Sequence, residues 1–134
     1  MTKEPRRVLV CGGRDYDDRD HVWNTLCEID AEHPIGVVIH GAATGADSEG
    51  MLWARAMPGR RHAPFRADWR THGKAAGPIR NQRMIDEGKP DLVVAFPGGR
   101  GTADLVRRAR AAGIPVRTPT IEAEITRLTG GNHP

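Results

Sequence analysis

The chain alternates short apolar runs with longer stretches in which apolar positions recur every three or four residues. Arg7-Val8-Leu9-Val10-Cys11 reads as a buried strand that stops at Gly12-Gly13. From about Asp20 to Glu32, Val22, Leu26 and Ile29 fall on one helical face. Gly36-Val37-Val38-Ile39-His40 repeats the strand pattern and ends at Gly41. A second helix, from Gly45 or Ala46, carries Met51, Leu52 and Ala54 as far as Met57. Arg61 to Phe65 makes a shorter third strand, and the polar stretch Arg66 to Gly77 reads as loop. Pro78 suits a helix start, so a third helix runs to about Glu87, with Gly88 as its stop. Asp91 to Phe96 is a fourth strand, Thr102 to Ala112 a fourth helix and Gly113 to Arg117 a short last strand. Ile121 to Leu128 reads as a final helix, and Gly130 to Pro134 as a disordered tail.

Strands that are apolar on both faces and alternate with helices imply a mainly parallel sheet of about five strands, covered on both sides. The expected fold is a three-layer α/β sandwich, and 134 residues fit one domain spanning residues 1–134. Right-handed crossovers place all the strand-to-helix loops at one end of such a sheet, where open α/β folds bind ligands. The glycine-rich loops after the first, second and fourth strands should therefore converge.

Their residue types suit an anion. In Pro97-Gly98-Gly99-Arg100-Gly101-Thr102 the glycines admit a ligand close to backbone N–H groups, and a helix start behind them favours phosphate. Thr102 could cap that helix or bind a phosphate oxygen; no GK[ST] follows, so this is not a Walker loop. Gly41 and Gly45 bracket small residues before the second helix, and Asp47 falls in its first turn. Asp47 there either favours the helix dipole or hydrogen-bonds a ribose or a neighbouring loop. After Gly12 and Gly13, Arg14 could reach a phosphate and Asp15 could orient it or contact sugar. His40, ending a buried strand, reads as structural. Arg80 and Met84 share a face of the third helix, as on a helix bordering a pocket, with Arg83 nearby. Trp69 could stack on a base or pack on its own domain, and His72 and Lys74 are candidates by position.

Composition narrows the classes. No apolar run approaches the roughly 18 residues of a membrane span, and the N-terminus lacks a signal peptide's features, so a cytoplasmic protein is expected. The formal charge of +3 permits anionic ligands without requiring nucleic acid. Three tryptophans, one tyrosine and two phenylalanines are too few for an obvious base-stacking platform. Cys11 and Cys27, without a CxxC, suggest neither a disulfide scaffold nor a zinc site, and both read as buried thiols. No metal-ligand spacing stands out, so no metal and no cofactor are expected.

Taken together, GGRDY, HGAATGAD, FRADWRTHGKAAGPIRNQRM and AFPGGRGTA resemble the SLOG superfamily, particularly its small YspA-like members. That superfamily includes the LOG phosphoribohydrolases and the DNA-binding DprA proteins. The resemblance runs from about Arg7 to Pro115 and implies a Rossmann-like sheet, a nucleotide-type ligand at the glycine loops and a homodimer. LOG enzymes cleave the N-glycosidic bond of a nucleoside 5′-monophosphate. Their hallmark is PGGxGTxxE, together with a helical arginine followed four residues later by methionine. Pro97, Gly98, Gly99, Gly101 and Thr102 match the first motif, and Arg80 and Met84 the second, but Leu105 stands where the glutamate belongs. Glycoside cleavage passes through a cation-like sugar that a carboxylate stabilises, which leucine cannot do. Asp104 lies one residue earlier, about 100° around the helix, beside the stripe of Leu105, Ala109 and Ala112 and within reach of Arg108.

The leading expectation is thus a protein that binds a nucleoside monophosphate or an ADP-ribose-like molecule, as a sensor would. The alternative is a LOG-like hydrolase in which Arg80 positions the nucleotide and Asp104 stabilises the sugar cation. DprA-like binding of single-stranded DNA, suggested by RRARAAG, comes third, because Arg107, Arg108 and Arg110 read as a solvated helix face. The expected partner is a small nucleotide, with neither nucleic acid nor membrane.

Overall fold

The computed structural model of the chain describes residues 4–119. Its strands are β1 (Arg6–Cys11), β2 (Ile35–His40), β3 (Arg61–Pro64), β4 (Leu92–Ala95) and β5 (Val116–Arg117). Its α-helices are α1 (Arg19–Glu32), α2 (Ala46–Ala56), α3 (Trp69–His72), α4 (Ala76–Asp86) and α5 (Arg100–Ala111). All four strand pairings are parallel, in the order β3-β2-β1-β4-β5.

The uninterrupted apolar runs are explained by burial on both faces. Val8, Val10, Val38 and Val94 face a layer built by Val22, Leu26 and Ile29 of α1 and Ala46, Trp53 and Ala54 of α2. Leu9, Cys11, Ile39, Val93 and Ala95 point the other way, onto Met84 and Ile85 of α4 and Leu105 and Ala109 of α5. The result is a Rossmann-like α/β sandwich. Asp18 starts α1 by accepting the His21 amide at 3.0 Å.

Several boundaries differ from the sequence reading. The stretch 66–77 is not all loop: Asp68 accepts the Thr71 amide at 3.0 Å and starts α3, and a 3₁₀ turn at Gly73–Ala75 leads into α4. Helix α4 begins at Ala76, two residues before Pro78, which still falls among the first four amides that have no intrahelical acceptor. Helix α5 begins at Arg100 and is capped by Gly99, so Gly101 and Thr102 lie in its first turn and Thr102 is not its cap. Cys11 is buried as expected, but Cys27 is exposed and accepts a hydrogen bond from Trp53 Nε1 at 3.3 Å. Ala112 falls beyond the end of α5 and is exposed, so the apolar stripe ends at Ala109. The helix expected at Ile121–Leu128 and the tail at Gly130–Pro134 lie outside the described residues. No helix among the described residues is long and apolar enough to cross a membrane.

Candidate functional site

The order of strands reverses between β1 and β4. The chain steps from β1 outward through β2 to β3, then returns to the other side of β1 as β4 and β5. Loops leaving β1 and β4 therefore part to opposite faces and leave a crevice at the carboxyl ends of the strands. The three glycine loops meet there. The Gly13 amide donates to Pro97 O at 2.8 Å, Thr44 Oγ1 donates to Arg14 O at 3.0 Å, and the Ala46 amide donates to Gly13 O at 3.3 Å.

Close backbone approach explains two of the glycines. A Cβ on Gly98 would collide with Thr102 Oγ1 and stand 2.7 Å from Gly13 N, so the loops after β1 and β4 touch only because it is absent. Gly45 has φ +73°, and a Cβ there would run into Gly13 O. By contrast, Gly99 and Gly101 have nothing within 4 Å of such an atom. They are open toward the crevice.

The crevice holds a cavity of about 1090 Å³. Gly12, Gly13, Arg14 and Asp15 line it from the first loop, and Pro97, Gly98, Gly99, Gly101 and Thr102 from the α5 end. Asp47, Arg80, Met84 and Asp104 also line it, and Trp69, Lys74 and Arg100 stand on the wall with them. Gly41 and Gly45 lie behind the lining rather than in it. Gly41 backs onto the Arg80 guanidinium and the Asp47 carboxylate, and Gly45 onto the first loop. His72 is exposed and not among the lining residues, while Arg83 pairs with Glu87 at 3.0 Å and lies over the Phe65 ring.

Asp47 is buried and accepts the Gly41 amide at 2.8 Å and the Ala43 amide at 3.5 Å. Burial raises its pKa, opposed by those two hydrogen bonds and by the charges of Arg80 and Arg14. Its first duty is to shape the second loop. Arg80 donates to Gly41 O at 2.6 Å and to Asn81 Oδ1 at 3.0 Å. Burial lowers the Arg80 pKa, Asp47 raises it, and Arg14 adds repulsion.

Asn81 is the residue that the sequence reading missed. It is buried, and its Nδ2 donates to Gly101 O at 3.1 Å and to Asp104 Oδ2 at 3.0 Å, so it ties α4 to the first turn of α5. The available signal was an amide beside Arg80 on the face that carries Met84. Asp104 takes a further bond from Arg108 Nε to Oδ2 at 2.8 Å and one from Arg107 to Oδ1 at 2.8 Å. Burial alone would raise the Asp104 pKa, but the bonds from Arg108 and Asn81 and the two arginine charges bring it below the usual carboxylate value. It stays ionised with both oxygens engaged. Leu105 is fully buried on the cavity floor, so an apolar group stands where the resembled enzymes carry their glutamate.

Deeper in the second loop, His40 Nδ1 accepts the Ala42 amide at 3.1 Å and Nε2 lies 2.9 Å from His62 Nδ1. Burial first, then His62 and Arg66, lowers the His40 pKa to about 4, so this histidine is neutral and structural. Among the described residues no three metal-ligating side chains gather.

An open parallel sheet with glycine loops around a crevice at its switch point is the architecture of Rossmann-like ligand-binding domains. Residues 6–72 match the YspA, cpYpsA-related SLOG family. The chain is also 46% identical over 118 residues to the Gene 61 protein of Mycobacterium phage D29, covering 83% of this chain and 94% of that protein. This chain belongs to the YspA, cpYpsA-related SLOG family.

Proposed function

We propose that the protein binds a nucleotide or nucleotide-derived ligand, a nucleoside monophosphate or an ADP-ribose-like molecule, and acts as a sensor rather than through turnover. The convergence of two glycine loops on a cavity of about 1090 Å³ at the switch point carries this reading. A mononucleotide fits that volume with room for a second group. In this reading the phosphate sits over Gly13 and Gly99, near the first-turn amides of α5, where partial positive charge and close backbone approach favour an anion. Arg14, Lys74 and Arg100 on the cavity wall add positive charge. Membership of a SLOG family supports a nucleotide-related ligand.

Hydrolysis is the second reading, favoured by one observation: Asp104 lines the cavity and stays ionised. Against it stand the arginines on both of its oxygens and the leucine on the cavity floor.

The test is calorimetry and chromatography with a panel of nucleoside 5′-monophosphates and ADP-ribose. Saturable binding with intact nucleotide recovered is the expected result. Released base with ribose 5-phosphate, abolished by Asp104→Asn and Arg80→Ala, would establish the hydrolase instead. No binding across the panel would overturn both readings.

A further inference from the structure

Trp69 and Ile79 are the large apolar side chains that stand exposed among the described residues, with Trp69 at 48%. Trp53 is fully buried and Trp23 is half-buried against the core, so their roles are accounted for by packing. Trp69 is different. It opens α3, a four-residue helix with no buried residue, which Asp68 caps. The indole's Cη2 lies against Gly77 in the first turn of α4, where a Cβ would stand at 3.4 Å. Trp69 also lines the cavity. Over it sits the Arg14 guanidinium, 5.2 Å from the ring centroid. Arg14 arrives from the glycine loop after β1 and lines the same cavity.

We propose that Trp69 is the base-stacking wall of this site, and that Arg14 covers the indole until a nucleobase takes its place. The proposal rests on the nucleotide reading above and adds how the base is held. A guanidinium is a planar cation, and the indole face that accepts it will accept the planar π-face of a base. Base stacking on an aromatic side chain is sequence-tolerant, because every base has such a face. Arg14 is one residue from Gly13, so its displaced fork of donors reaches the phosphate expected over that glycine. Binding the base on Trp69 and the phosphate on Arg14 are then two halves of one exchange.

The experiment uses two probes on the full chain: the tightest-binding monophosphate among AMP, GMP, IMP, CMP and UMP, and ribose 5-phosphate, which has no base. Calorimetry measures both on wild type, Trp69→Ala, Trp69→Phe and Arg14→Ala, with thermal melts to confirm folding. Trp69→Ala should weaken the nucleotide about tenfold and leave ribose 5-phosphate within about twofold. Trp69→Phe, which keeps an aromatic face, should retain most of the nucleotide affinity, whereas Arg14→Ala should weaken both probes. Equal losses on the two probes in Trp69→Ala, or no loss on the nucleotide, would overturn the proposal. If neither a monophosphate nor ADP-ribose binds the wild type, the nucleotide reading itself fails, a result visible before any variant is made.

Discussion

Acid should loosen the second loop, and His40 is the reason. Its Nδ1 accepts the Ala42 amide, so in the neutral ring the proton sits on Nε2 and is donated to His62 Nδ1. A second proton on His40 would break the Ala42 bond and place a buried cation beside His62 and Arg66. The folded pKa falls from 6.5 to about 4. Since the unfolded chain takes up this proton first, the stabilising contribution is complete above about pH 6.5 and is lost as pH falls toward about 4. Between pH 7 and pH 4.5 the loss comes to about 2 kcal/mol, from 1.36 kcal/mol per pKa unit. Asp47, whose carboxyl is raised by burial, acts in the opposite sense, and Asp104, held below the usual carboxylate range, acts at lower pH. Both are common to wild type and variant and cancel in a difference. Urea unfolding at pH 7, 5.5 and 4.5 should show wild type losing about 2 kcal/mol more than His40→Gln over this interval. Parallel losses in the two proteins would refute the reasoning.

Two contrasts among the glycines follow from the backbone geometry. Gly45→Ala forces a side chain into a positive-φ position and against Gly13 O, and should cost about 2 kcal/mol or more of stability, read from the urea midpoint. Gly98→Ala should destabilise by a similar amount, about 1–3 kcal/mol, because Thr102 and Gly13 must move apart. Gly99→Ala meets nothing within 4 Å and should leave the melting temperature within a few degrees while weakening nucleotide binding in calorimetry. If Gly98→Ala and Gly99→Ala melt alike, the tight contact between the β1 and β4 loops is not real.

Why the strands and most helices were legible is a matter of burial. A strand covered on both faces leaves a run such as Val8-Leu9-Val10 with no polar interruption, and α1 announces itself through Val22, Leu26 and Ile29. Helix α3 was not legible because none of its four residues is buried, so no periodicity exists to read; its only mark is Asp68 as a cap. The start of α5 was placed two residues late because Gly101, a poor helix former, reads as loop. That shift matters for the site. It moves Thr102 off the cap, where it packs against Gly98 instead. The glycines themselves look equivalent in sequence, yet Gly45 and Gly98 accommodate backbone contacts while Gly99 and Gly101 face open space. Only the tertiary approach of the loops separates these roles, and the same holds for Asn81, whose Nδ2 donates to acceptors twenty or more residues away.

Asp104 offers the sharpest separation of binding from hydrolysis, because the two readings move in opposite directions when its charge is removed. As a catalytic group it would have to present unshared negative charge to a sugar cation. Here Arg107 holds one oxygen, and Arg108 and Asn81 hold the other, so two guanidiniums outweigh one carboxylate at that point of the wall. A developing sugar cation would meet net positive charge, whereas a phosphate would be attracted. Asp104→Asn makes the cluster more positive still. Under the binding reading it should tighten a nucleoside monophosphate by about threefold at low salt, with the gain fading as ionic strength rises. The variant should also lose about 1 kcal/mol of stability, because the new amide NH2 cannot accept from the donors on its side and both arginines lose their counter-charge. Calorimetry at two salt concentrations reads both the gain and its screening. A weaker nucleotide complex, or base release by wild type that this variant loses, would instead make Asp104 a group that works on the ligand's sugar.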